Sequence, residues 1–587
     1  MLYVMHICYL FVFDFGVLKN IGFTFDHRYV FQMEEDGLYI EKSTSPLPLD
    51  FWGQGIYSLT AIVGNNGSGK TTALRLMKKL FIEGEPSEAG VDVLIIYEDR
   101  GQLYVYNPKK KSLKPGTEIK LNVITERERI ETLYYSGHFQ PYTGAEGEME
   151  LSGSYDASDD WLLIKDLLDY SNVDTTHLNE PIYNHLSAYY AQNNYRICEV
   201  LMLKDLDKLL PTFHLPQYVM IAPNMGGWNA IRLDYKKRFK DLQIPQEKYV
   251  SRDVRERALE RIIYYDIINL IAEGKGEVKQ TLDFLNLWLD SERTGNVVRD
   301  FEALIDANEL KFSHKEPLKA VAFVIGKIEE LCSFEPNSGT FYINIKTDDD
   351  KLHSLVNEVL RTRFFLTARF FDIYYGHTLL GYQRLSSGEL EMLNMLSRLY
   401  YGITLLPQKY NNKESPRLLL LDETEIGFHP DWQRQYVKII TEFMQYMMVK
   451  AGVDFQIVIT SHSPIILSDI PVNCINFLYR EGDTTSLVTG EEQTFGENVF
   501  RLYRRAFFMK NGLIGDFAQK KINQWSKDIE ENRITEDFAN NIMLIGDERI
   551  RDYLMMKTMT ARNIDAEIAY HEDVIRRLRQ QKESRYE

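Results

Sequence analysis

Gly64-Asn65-Asn66-Gly67-Ser68-Gly69-Lys70-Thr71-Thr72 is the stretch that decides the fold. It matches the phosphate-loop pattern G-x-x-x-x-G-K-[ST], which carries meaning only between a strand and a helix. Both neighbours are legible: Tyr57 to Val63 is a short apolar run, and a helix is expected to start near Lys70. Glycines let successive backbone N–H groups converge on phosphate oxygens, and the helix N-terminus adds a favourable dipole. Asn65, Asn66, Gly67, Ser68, Gly69 and Thr72 are therefore expected around the phosphates of ATP. Lys70 should reach the β and γ phosphates, and the Thr71 hydroxyl should ligate Mg2+.

Further along, Leu418-Leu419-Leu420-Leu421-Asp422-Glu423 is an apolar strand whose end presents two adjacent carboxylates, where open α/β sheets bind ligands. In isolation a core strand ending in a solvated acidic turn looks the same. Downstream of a phosphate loop, Asp422 fits the Mg2+ role and Glu423 the role of polarising the attacking water. This run, Arg417 to Leu421, and another short apolar run, Gln456 to Thr460, have the character of parallel strands buried on both faces.

Leu385-Ser386-Ser387-Gly388-Glu389 resembles the signature of ABC-type ATPases, and Ile457-Val458-Ile459-Thr460-Ser461-His462-Ser463-Pro464 resembles their switch-histidine strand. The segment Asp422-Glu423-Thr424-Glu425-Ile426-Gly427-Phe428-His429-Pro430 is similar to the corresponding run of RecF-like and SMC-like heads, and the elements stand in family order. The resemblance implies an α/β, ABC-type P-loop head in which the signature of one chain closes over nucleotide on the phosphate loop of another. Ser386, Ser387, Gly388 and Glu389 would then act from across a homodimer or higher oligomer, and His462 from the same chain as Lys70. Gln140, in Tyr134-Tyr135-Ser136-Gly137-His138-Phe139-Gln140, is the candidate for the glutamine that touches ATP and Mg2+. Ser387, Glu389 and Thr424 depart from the family's usual glycine, glutamine and proline.

Length and composition bound the remainder. A chain of 587 residues suggests three or four units. With 44% hydrophobic and 26% charged residues, folded structure is expected nearly throughout. A net charge of −17 argues against a surface that wraps nucleic acid. The short basic runs Lys236-Lys237-Arg238-Phe239-Lys240 and Arg576-Arg577-Leu578-Arg579 read as solvated helix faces. Cys8, Cys198, Cys332 and Cys474 form no Cys-x-x-Cys pair, which fits a reducing cytoplasm and no zinc or redox motif. The apolar start, Met1 to Phe13, lacks a basic n-region and stops at Asp14, so a buried strand is expected instead of a leader or membrane span.

Residues 1–150 should form the first ATPase lobe, 151–336 a helical insertion, 337–495 the second lobe and 496–587 a helical region suited to partner docking. The insertion shows helical spacing, as in Leu259, Ile263, Ile267 and Leu270, but no sustained heptads, so it stands where SMC-type relatives carry coiled coils. The span between phosphate loop and signature also exceeds what a transporter subunit carries. Together with Tyr134-Tyr135-Ser136, the run Asp422 to Gln433, Thr494 to Phe500 and Ala506 to Gly515, this resembles the PtuA ATPases of Septu and retron anti-phage systems, within the ABC/SMC/RecF-like, AAA-family ATPases. That likeness implies a separate HNH nuclease as partner and, in retron systems, a reverse transcriptase with its RNA and DNA. Rival readings are an SMC/RecF-like DNA-repair ATPase and an OLD-like nuclease. The latter needs a later acidic motif for which too little chain follows Gly546-Asp547-Glu548.

Overall fold

The computed structural model describes residues 5–583 apart from 84–90, 138–153, 167–184, 224–244, 273–277, 309–311, 361–370, 380–383, 410–416, 489–492, 506–513, 535–537 and some isolated positions. It divides into two compact units, Met1–Phe508 and Met509–Glu587.

The centre of the first unit is a seven-stranded sheet. In spatial order its strands are Tyr155–Asp156, Thr132–Ser136, Arg417–Asp422, Phe455–Ser461, Ile56–Gly64, Ile475–Glu481 and Thr484–Val488. All neighbours run parallel except the last pair, an antiparallel hairpin. Successive side chains of a strand point to opposite faces, and here the alternation feeds two separate cores. Leu419, Leu421, Ile457, Ile459, Leu59 and Leu133 enter one core, whereas Leu418, Leu420, Val458, Ile62 and Leu478 enter the other. Continuous apolar runs are the cost-free sequence for such a two-sided sheet.

The second core is closed by the helix Lys70–Lys78 and by a five-stranded sheet. That sheet orders Leu18–Thr24, His6–Phe15, Asp92–Asp99, Gln102–Tyr106 and Leu121–Ile124. The apolar start of the chain is thus a central buried strand, paired on both sides.

The described residues of 151–336 are mainly helical, with helices at His185–Leu201, Val254–Ala272, Val278–Asp290, Val297–Ala307 and Phe312–Leu331. Asn296 caps one of them by accepting from Arg299 N, and Trp288 packs edge-on to Phe301 at 5.1 Å. One feature departs from an all-helical insertion. Tyr218–Pro223 is a strand between Thr340–Asn344 and Phe371–Gly376, so a sheet crosses the expected boundary at 336. Its run Tyr-Val-Met-Ile-Ala-Pro is too short for periodicity to separate strand from helix. The expected boundary at 495 also shifts. Gly496 N donates to Ser468 O, Thr494 Oγ1 to Ile470 O, and Phe495 packs on Phe51, which ties this stretch to the first unit. The described residues of the unit Met509–Glu587 are mainly helical, with Ile529, Phe538, Ile542, Ile545 and Leu554 as their core.

Candidate nucleotide-binding site

The strands ending at Gly64, Ser136, Asp422 and Ser461 are parallel, so their carboxyl ends meet at one edge of the sheet. At Gly64 a Cβ would lie 2.1 Å from Leu478 O and 2.6 Å from Ser68 Oγ, so only glycine fits. Gly69 has φ +99°, and a Cβ there would press on Leu18 and Val17 at the turn between the first two strands. The helix Lys70–Lys78 begins directly after it.

Lys70 is buried, and its Nζ donates to Gly64 O (3.3 Å) and Asn65 O (3.4 Å). Burial lowers the pKa of this ammonium, against the pull of Glu423, Asp422 and Glu425. Ser68 Oγ is buried with no hydrogen-bond partner among the described residues, so a donor is left pointing into the loop. Asn65 exchanges hydrogen bonds with the Arg480 backbone (3.2 and 3.1 Å), and the Arg480 guanidinium donates to Gly67 O at 3.0 Å. Gly67 (φ +73°) and Asn66 are exposed, and Thr72 sits beside Gly16.

Asp422 closes the floor. Its Oδ1 accepts from Thr460 Oγ1 (2.6 Å) and lies 3.5 Å from Thr71 Oγ1, while its Oδ2 accepts from Tyr134 OH at 3.2 Å. Burial, with the Asp422 charge, raises the pKa of the Tyr134 phenol, which keeps it a proton donor. Glu423 has φ +48°, a left-handed conformation costing a non-glycine residue about 1–2 kcal/mol. Its amide donates to Thr460 Oγ1 (3.0 Å), and the turned backbone brings Oε1 to 3.0 Å from His462 Nε2. His462 remains 35% exposed and Glu423 13%, so the pair faces solvent. Below them Glu425 Oε1 accepts from Ser461 Oγ (2.5 Å) and His462 N (3.1 Å), which holds the histidine's backbone.

The structure therefore brings Lys70, Thr71, Asp422, Glu423 and His462 to one edge. Ser386 is exposed and caps the helix Ser387–Lys409. Its Oγ accepts from Glu389 N (3.3 Å), and Glu389 Oε2 accepts from Ser386 N (2.7 Å), a capping box. Glu389 Oε1 also meets His377 Nε2 at 3.1 Å, and Ser387 is exposed. A Cβ on Gly388 would stand 3.0 Å from Gly427 O, so the helix Ser387–Lys409 rests on the segment that follows Glu423. Gln140 lies outside the described residues. Sequence reasoning missed Tyr134, Thr460, Glu425 and Arg480 as supports. Thr460 and Glu425 stood inside motifs already singled out, while Tyr134 and Arg480 arrive through strand pairing.

The AAA ATPase domain family matches residues 47–467, most of the chain, including Lys70, Ser386, Asp422, Glu423 and His462. This chain belongs to that family. As a member of the AAA ATPase domain family it is a nucleotide-binding ATPase, built as a mixed α/β fold around a parallel sheet. Protein ea59 of Escherichia phage lambda is similar over 187 residues at 26% identity, covering 32% of this chain and 28% of that protein, so the match spans under a third of the relative. Two structures of the recombination mediator protein RecF of the RecFOR pathway, in ATP and ATPrS forms, align over 83% of this chain and 100% and 98% of theirs at 12% identity. Their TM-scores, 0.23 and 0.24, are too low to establish a shared fold. Among the described residues no helix is long and apolar enough to cross a membrane.

Proposed function

We propose that two copies of this chain close over ATP in an ABC-type arrangement, and that the closed state controls a separate HNH nuclease in a bacterial anti-phage complex. The observation that carries the first half is the division of labour within one chain. Lys70, Glu423 and His462 form an open cradle, whereas Ser386 is exposed and engaged with its own helix cap. Each chain then offers two half-sites that a second copy completes.

The residues fit the nucleotide. Ser68 Oγ leaves a buried donor for a phosphate oxygen, and Lys70 exchanges two carbonyl partners for phosphate. Thr71 and Asp422 would hold Mg2+, which when bound neutralises phosphate charge. Glu423 accepts a proton from the attacking water, and His462 orients that carboxylate and reaches toward the γ-phosphate. Docking of a partner's nucleotide at Ser386 and Gly388 presses on Gly427 and so on the Glu423 turn, which couples closure to hydrolysis.

Mixing two inactive variants tests the composite site. Lys70→Ala lacks a working phosphate loop and Ser386→Arg a working signature, yet their heterodimer keeps one intact site. Mixtures should regain phosphate release that neither variant shows alone; no recovery sinks the trans arrangement. The defence half rests on the resemblance of Asp422 to Gln433 and the segments around it to PtuA proteins. Co-expressed with an HNH protein, the chain should bind it and change its DNA cleavage when ATP is added, with or without a reverse transcriptase and its RNA/DNA. Stimulation of ATP turnover by broken DNA ends, with no nuclease bound, would favour the repair reading instead.

A further inference from the structure

At the opposite end of the phosphate-loop strand lies a second buried polar cluster that takes no part in the chemistry above. His6 and Cys8 are two apart on the strand His6–Phe15 and so share a face. Glu98 is the cross-strand partner of His6, and Asp26 follows the strand Leu18–Thr24 where Phe25 N donates to Cys8 O. All four side chains are buried, and their ligand atoms lie within 4.8 Å of one another.

The separations decide what such a set suits. His6 Nε2 is 3.0 Å from Asp26 Oδ2, 3.5 Å from Glu98 Oε2 and 3.5 Å from Cys8 Sγ, and Cys8 Sγ is 3.6 Å from Asp26 Oδ2. Tetrahedral zinc with bonds of roughly 2.0–2.3 Å places its ligand atoms about 3.3–3.7 Å apart. The outer contacts that orient metal ligands are also present: Tyr57 OH donates to Glu98 Oε2 (3.0 Å), Gly101 N to Glu98 Oε1 (2.9 Å) and Arg28 N to Asp26 Oδ1 (2.9 Å).

Arg28 is the competing occupant. Its Nη2 donates to Asp26 Oδ2 (2.6 Å), lies 3.3 Å from His6 Nε2, and contacts both Glu98 and Tyr57. Its two Nη2 hydrogens suffice for the two carboxylates but not for His6 Nε2 and Cys8 Sγ as well, whereas a four-coordinate cation takes all four ligand atoms. Arg28 is 25% exposed, so it can withdraw toward solvent while Nε keeps its 3.0 Å bond to Asp26 Oδ1. A thiolate and two carboxylates against a dication and that guanidinium then leave no net charge.

We propose that His6, Cys8, Asp26 and Glu98 bind one divalent transition-metal ion, zinc by their chemistry, as a structural staple joining three strands of the amino-terminal sheet. The full chain, purified without chelator, should carry about one zinc per chain by elemental analysis, as structural sites of closed coordination do. Cobalt exchanged into it should give a thiolate-to-cobalt charge-transfer band. Cys8→Ser should lose both metal and band, Lys70→Ala should keep both, and Arg28→Gln should hold zinc more tightly against a competing chelator. Absence of zinc together with absence of the cobalt band in the parent chain overturns the proposal and leaves an Arg28-centred ion-pair network. Should Cys8→Ser not fold, the parent's cobalt band and the Arg28→Gln affinity decide by themselves.

Discussion

The strand Ile56–Gly64 has a cluster of carboxylates near each end, and the two differ in access. At the Gly64 end the Glu423–His462 pair is 13% and 35% exposed, and Glu423 is held at φ +48°. At the Tyr57 end His6, Asp26 and Glu98 are only 1%, 1% and 2% exposed. A strained, solvent-facing pair can meet a substrate and exchange a proton, whereas a sealed set can only hold the fold together. Similar side chains thus acquire different work from water access and backbone conformation.

Removing one carboxylate at each end should separate those roles. Glu423→Gln keeps the turn but cannot take a proton, so ATP turnover should fall by about 10²–10⁴-fold while ATP binding persists and dimers accumulate. Phosphate release, nucleotide binding and light scattering check this; turnover at the parental rate would refute the general-base role. Glu98→Gln at the sealed end should do the reverse. It takes one proposed metal ligand and one partner of Arg28 out of a buried network, at a cost of up to about 3–5 kcal/mol in unfolding free energy. Turnover per folded molecule should hold, and a selective loss of turnover would mean that the two ends are coupled.

The open end was far more legible in the sequence than the sealed one. Lys70-Thr71, Asp422-Glu423 and His462 are local patterns, each at the end of an apolar run, and parallel pairing needs only to bring the strand ends level. Legibility fell wherever a site depended on register. Tyr134 reaches Asp422 because Ser136 pairs with Asp422, which places the preceding residues beside the carboxylate; no spacing in the sequence encodes that. The sealed cluster was not read from the sequence, because Glu98 joins His6 through strand pairing and Asp26 arrives through the bond from Phe25 N to Cys8 O just past a strand end. Tyr218–Pro223 escaped notice for a related reason: its partners, Thr340–Asn344 and Phe371–Gly376, lie more distant in sequence than any periodicity can reach.

Register-borne supports should have smaller effects than the groups they support. Tyr134→Phe removes one donor from Asp422 Oδ2 and leaves the ring in the core. The Thr460 bond at 2.6 Å still positions the carboxylate. A single hydrogen bond to a buried partner is worth about 0.5–1.5 kcal/mol, so the Mg2+ concentration for half-maximal turnover should rise about 2–10-fold. Magnesium titration of ATPase activity reads it directly. An unchanged midpoint would make Tyr134 a packing residue alone.

Glu425 offers the finest distinction between the ends, because it is a carboxylate at the open end that is itself sealed. Burial raises its pKa, with the bonds from Ser461 and His462 N pulling the other way. A carboxyl whose folded pKa exceeds its unfolded value contributes stability that is complete below the unfolded pKa and is lost as pH rises through the folded one. Glu425→Gln abolishes that titration while its amide oxygen still accepts from Ser461 Oγ and His462 N. The new NH2 group enters the place of Oε2, a buried atom with no hydrogen-bond partner among the described residues, and brings two hydrogens where the protonated parent brings one, so the variant should lose about 1 kcal/mol at low pH. That deficit should shrink as pH rises past the folded pKa, where the parent carries a desolvated charge and the variant none. Urea unfolding of both chains across the acidic and neutral range measures the two curves. Convergence with rising pH places Glu425 in the sealed class despite its position, and parallel curves would show that its charge is as well solvated as that of Glu423.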